Sequence, residues 1–120
     1  MTIRRMKTYT GSQGYVYQYY YVGKRSVPAK AAQEVSTEFI FDVTSDRKTT
    51  FAVSVFLPEK AVQAWIASHG RGLSEAEQYG AVKMRLFQAF DEVEDLRSHG
   101  RQFSVDSEGL GKALAALGVN

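Results

Sequence analysis

Two stretches, Thr37 to Thr44 and Thr50 to Leu57, carry Phe39, Phe41 and Val43, then Phe51, Val53, Val55 and Leu57, at every second position. A period of two is the repeat of a β-strand, so these residues define one apolar face of a sheet. Residues opposite each other in a hairpin must share a face. Val43 or Phe41 can therefore oppose Phe51, whereas Val43 cannot oppose Thr50. The turn around Ser45-Asp46-Arg47-Lys48 accordingly needs an odd-length loop or a bulge.

Upstream, Tyr15 to Val22 is β-prone, and Gly11-Ser12-Gln13-Gly14 reads as a turn, so a shorter strand around Met6 to Thr10 can pair back onto it. Gly23 to Gln33, with Pro28 and several alanines, reads as a loop with at most one helical turn. Downstream the period changes. Pro58 suits a helix start, and Val62, Trp65 and Ile66 recur at helical spacing, which predicts a helix over Glu59 to His69. Ser74 and Glu77 form a capping box, and Tyr79, Val82, Leu86, Phe90 and Val93 extend a second helix over Glu75 to Arg97. Phe103 and Val105 alternate briefly before Asp106 or Ser107 caps a short helix bearing Leu110, Leu114 and Leu117.

Strands followed by helices predict an α+β fold: an antiparallel sheet of three or four strands packed against two long-to-medium helices and a short carboxy-terminal helix. Trp65, Phe39, Phe41, Phe51, Val53, Val55, Leu86 and Phe90 form the expected core. A chain of 120 residues, 44% hydrophobic and 23% charged, suits one globular domain over 1–120. Cysteine is absent, which removes disulfides, thiolate metal sites and thiol nucleophiles. The basic amino-terminal segment leads into polar, tyrosine-rich sequence rather than an apolar signal region, and no run of residues is long and apolar enough to span a membrane. The expected location is cytoplasmic.

Chemistry-bearing groups are sparse. Ser68-His69-Gly70-Arg71 recurs as Ser98-His99-Gly100-Arg101, but both copies fall where helical periodicity stops, and glycine and histidine there serve as helix-end residues. No serine sits in a nucleophile elbow, and Gly70-Arg71-Gly72 lacks the remaining elements of a phosphate-cradling loop. Asp91, Asp95 and His99 fall at four-residue steps, so a continuous helix would place two carboxylates and an imidazole on one side, a candidate divalent-metal site. The competing reading is a solvated acidic face neutralised by Lys83, Arg97 or the basic amino-terminal segment. No cofactor is expected, and the chain reads as a binding domain rather than an enzyme.

The tyrosines are the least ordinary feature. Six of seven lie before Val22, and alternation sends Tyr15, Tyr17, Tyr19 and Tyr21 to one side and Val16, Gln18, Tyr20 and Val22 to the other. Ile40, Ala52 and Phe56 also lie opposite the core face, among Glu38, Asp42 and Ser54. Both faces therefore call for a cover. Charge is uneven as well: Arg4, Arg5, Lys7, Lys24, Arg25 and Lys30 precede the first acidic residue, Glu34, giving +6 there and −4 beyond.

Three explanations compete for this pattern. A second protein chain, most simply another copy, can cover a surface built from Tyr15, Tyr17, Tyr19 and Tyr21 with Arg4, Arg5, Lys7, Lys24 and Arg25. Single-stranded nucleic acid can stack on the tyrosines while the basic residues meet phosphates, although Glu38 and Asp42 oppose it. The helices can also fold over the tyrosines, making the pattern structural. The expected function is a small interaction domain, homodimeric or bound to another protein, with nucleic acid as the alternative partner and no membrane.

Overall fold

The computed structural model describes residues 6–28, 35–93, 95–99 and 101–119, without the side chain of His99. Arg4, Arg5, Lys30 and Gly100 lie outside the described residues. The fold is α+β. Strands β1 (Lys7–Thr10), β2 (Val16–Pro28), β3 (Val35–Thr44) and β4 (Phe51–Pro58) form an antiparallel meander, followed by α1 (Glu59–His69), α2 (Glu75–Glu92) and α3 (Leu96–His99). Strand β5 (Gln102–Ser104) then joins β4 in parallel, and α4 (Ser107–Ala116) closes the fold. The sheet thus has five strands in sequence order and is mixed at one edge.

The hairpin register is one of the two that the shared apolar face allows. Val43 pairs with Phe51, Phe41 with Val53 and Phe39 with Val55. Asp46 organises the intervening turn by accepting from the backbone N–H groups of Lys48 and Thr49, at 2.8 and 2.9 Å, and these bonds hold its carboxyl well below the usual carboxylate range. All eight expected core residues are buried, together with Leu57, Leu110 and Leu114.

Three expectations need correction. Strand β2 continues through Gly23 to Pro28 instead of ending in a loop, because a bulge at Val22 shifts its register against β3 and conceals the strand by inverting its alternation. Beyond the bulge, Lys24 opposes Phe39 and Arg25 opposes Glu38. Phe103 does not merely alternate: β5 forms a fifth strand, parallel to β4 after the helical crossover.

The second helix ends at Glu92 rather than Arg97. Val93 is already extended, and Asp95 turns the chain in the left-handed region at φ 50°. The cause lies far away in sequence. The β1–β2 turn closes the helix end: Ser12 Oγ donates to the Asp91 carbonyl at 3.1 Å, Gln13 Nε2 to the Glu92 carbonyl at 3.1 Å, and the Ser12 N–H to Asp91 Oδ1 at 2.9 Å. Gly11 permits this approach, since a Cβ there would stand 2.6 Å from the Phe90 carbonyl oxygen.

Candidate functional site

The tyrosine ladder faces inward. Tyr17 stacks on Phe90 with centroids 4.4 Å apart, Tyr9 stacks on Phe87 at 4.4 Å, and Tyr21 meets Tyr79 at 4.8 Å. Tyr19 lies edge-on to Phe41 and Phe87. These rings join the sheet to α2, leaving Tyr17 1% and Tyr19 5% exposed. The expected surface built on Tyr17 and Tyr19 is therefore corrected to core packing, because aromatic positions of α2 lie over them and remove them from solvent. Burial pushes the phenols of Tyr17, Tyr19, Tyr21 and Tyr79 above their ordinary pKa, and the hydrogen bond to Asp91 does the same for Tyr9. Tyr15 remains exposed and Tyr21 partly so.

Among the described residues, Lys24 and Arg25 of the expected basic patch are each taken up by an acidic partner. Lys24 Nζ lies 2.9 Å from Glu75 Oε1, and Arg25 Nε donates to Glu38 Oε1 at 2.7 Å. Lys7 lies on β1, opposite Tyr19. The expected metal group is not assembled: the break after Glu92 removes the single helical face that Asp91, Asp95 and His99 required, and Asp91 is occupied by Tyr9 Oη at 2.8 Å and by Ser12. Among the described residues no group of three His, Asp or Glu side chains could hold a metal ion.

His69 closes α1. Its ring stacks on Trp65, its Nδ1 lies 2.9 Å from the Trp65 carbonyl oxygen, and Gly70 adopts the left-handed cap at φ 69°. A groove of about 730 Å³ runs between α2 and α4. Its charged groups serve the fold: Asp106 caps α4 through the Gly109 N–H, Glu108 pairs with Lys112, and Arg85 donates to the Ser104 carbonyl.

The other face of the sheet presents a different surface. Tyr20, Ile40 and Phe56 are partly buried there, while Val16 and Val22 are 42% and 50% exposed. None of them belongs to the apolar cluster that joins the sheet to the helices. At the centre of this face Glu38 is only 7% exposed, accepting from Ser54 Oγ at 2.6 Å and from Arg25. The Ser54 bond, followed by the Arg25 interactions, holds the Glu38 carboxyl below its ordinary pKa despite burial. The Arg25 side chain remains 69% exposed above it. No family model matches the chain, and neither the curated proteins nor the solved structures give a significant match. Among the described residues no helix is long and apolar enough to cross a membrane.

Ile40 and Phe56 were legible in sequence as apolar residues on the wrong side of alternating strands. Lys83 was overlooked as more than a neutralising charge. Its signal was helical spacing: it lies four residues after Tyr79 and four before Phe87, within the aromatic face of α2.

Proposed function

We propose that this chain is a non-enzymatic interaction domain that self-associates through the face of its sheet that none of the described helices covers. The observation that carries this reading is that Tyr20, Val22, Ile40 and Phe56 share a face outside the helix-packed core. Aligned packing of two sheets buries such a face at an intersheet spacing of about 10 Å. Aromatic and aliphatic side chains around one neutralised ion pair match the composition of an interface core, where arginine is tolerated and other charges are depleted.

A second copy is the occupant favoured by charge. Base lies on β2 at Arg25 and acid on the neighbouring strand β3 at Glu38, in the same cross-strand row. A two-fold axis running along the strands between β2 and β3 sets the Arg25 of each copy over the Glu38 of the other, so that one surface complements itself. The guanidinium uses only Nε for its own Glu38 in the hydrogen bonds of the described residues, which leaves Nη donors for the partner carboxylate. The buried tyrosines support this reading over base stacking, since nucleic acid would have to displace α2 to reach Tyr17 or Tyr19.

Sedimentation velocity over a wide concentration range provides the test. The expected result is a mass that doubles with concentration for the wild-type chain and stays monomeric for Ile40→Lys. A monomer at all concentrations overturns the proposal. Mixing tests the charge arrangement: Arg25→Glu and Glu38→Arg chains should each associate poorly, yet pair with each other.

A further inference from the structure

Where β1 ends at Lys7, the edge of β2 and the first half of α2 leave a small cleft of about 190 Å³, lined by Lys7, Tyr19, Tyr20, Tyr21 and Tyr79. Lys83 reaches the same region from α2. Its Nζ lies 5.9 Å from the Tyr19 ring centroid and 5.7 Å from those of Tyr79 and Phe87. An ammonium over several aromatic faces is stabilised by their quadrupoles, but that interaction leaves its full charge in place.

The unusual element is the second ammonium beside the first. Lys7 pairs with Tyr19 across the strands and Lys83 lies over the Tyr19 ring, so the two ammonium groups flank one residue; burial first, and then Lys7, holds the Lys83 ammonium below the ordinary lysine value. Neither lysine has a carboxylate partner among the described residues, and Glu75, which acts on Tyr21, is taken by Lys24 at 2.9 Å. No carboxylate of the described residues lines the cleft. Two like charges held together against their repulsion, with phenol hydroxyls as further donors, make an arrangement whose complement is a dianion. The raised phenol pKa values of Tyr19, Tyr21 and Tyr79 keep those groups protonated as donors at neutral pH.

We infer that Lys7 and Lys83, with the tyrosines around them, form a binding site for a single phosphoryl group, the dianion of inorganic phosphate or of a phosphate monoester. Charge sets this assignment: two ammonium groups match a dianion, and the cleft of about 190 Å³ has room for one tetrahedral oxyanion. Lys7, Lys83, Tyr19 and Tyr79 lie on the helix-covered side at the sheet edge, and Tyr20 alone of the lining residues belongs to the opposite face, so neither lysine variant alters the self-association surface.

Calorimetric titration of the full chain with inorganic phosphate, against sodium chloride at matched ionic strength, tests the site. Saturable one-to-one binding is expected. Lys7→Met and Lys83→Met should each weaken it roughly ten- to a hundred-fold, the loss of one charge-assisted hydrogen bond, whereas Lys112→Met should leave it unchanged. Lys7 is exposed, so Lys7→Met remains decisive if Lys83→Met does not fold. Heat that does not saturate, binding by both lysine variants at the wild-type level, or equal weakening by Lys112→Met would each overturn the assignment.

Discussion

On β2, tyrosines point both ways: Tyr17, Tyr19 and Tyr21 lie under α2, whereas Tyr20 lies on the opposite face, across from Asp42 on β3. The helix-covered face is aromatic, with Tyr17 and Tyr19 buried against Phe87 and Phe90. The face that no described helix covers keeps its buried groups polar: Glu38, Thr44 and Ser54 are the buried polar residues of the described chain, and all three belong to it. Residue type alone therefore does not distinguish core from surface here. The partner does: α2 offers Phe87, Phe90 and Tyr79 to one face, and no described helix offers anything to the other.

The largest expected contrast between the faces is in stability. Phe90→Ala removes a fully buried ring stacked on Tyr17 and should cost about 3–5 kcal/mol in urea denaturation, enough to unfold a marginal domain. Phe56→Ala, on the uncovered face, should cost about 1 kcal/mol or less at concentrations where the chain is monomeric. Similar losses for the two variants would break the contrast.

The turn that docks on α2 comes next. Gly11→Ala forces a methyl group against the Phe90 carbonyl and should cost about 1–3 kcal/mol, whereas Gly72→Ala, which meets no atom within 4 Å, should cost little. Equal effects would show that the turn does not close the helix.

Proton linkage separates the faces more finely. On the covered side the phenols have raised pKa values, so the native state keeps protons that the unfolded chain loses. That contribution is complete below about pH 10 and is lost as pH rises through the folded values; Tyr19→Phe should flatten the alkaline decline in melting temperature. On the uncovered side the Glu38 value is lowered, so its contribution is present above the ordinary carboxyl range and is lost as pH falls through the folded value. Glu38→Gln should cost about 1 kcal/mol near neutral pH and remove that part of the acid dependence. An acid profile unchanged by Glu38→Gln would deny the carboxylate its role.

Much of this architecture was legible in the chain. Alternation in β3 and β4 limits which residues can pair, allowing Val43 or Phe41 opposite Phe51, and the structure adopts Val43. Ser74 and Glu77 mark the start of α2 by local hydrogen bonds, with the Ser74 N–H donating to Glu77 Oε1 at 2.9 Å and Ser74 Oγ accepting from the Glu77 N–H. What was illegible depended on distant contacts. The end of α2 is closed by Ser12 and Gln13, and no local residue announces it. The side of the tyrosines was undetermined because both alternating sets on β2 contain apolar or aromatic residues, so period two gave no preference. The bulge at Val22 hid the second half of that strand, where the Arg25–Glu38 pair is formed. Glu38, read as an obstacle to phosphate, is instead the centre of the uncovered face.

Thiol labelling offers the most direct test that one face is core and the other a contact surface, because the chain contains no cysteine of its own. Ile40→Cys and Val43→Cys place single reporters on the two faces of β3, and their reaction rates can be followed in dilute and concentrated protein. The account predicts that the Ile40→Cys chain reacts readily when dilute and becomes protected as concentration rises, while the Val43→Cys chain is protected throughout. An Ile40→Cys chain that reacts equally fast at every concentration would contradict self-association through this face.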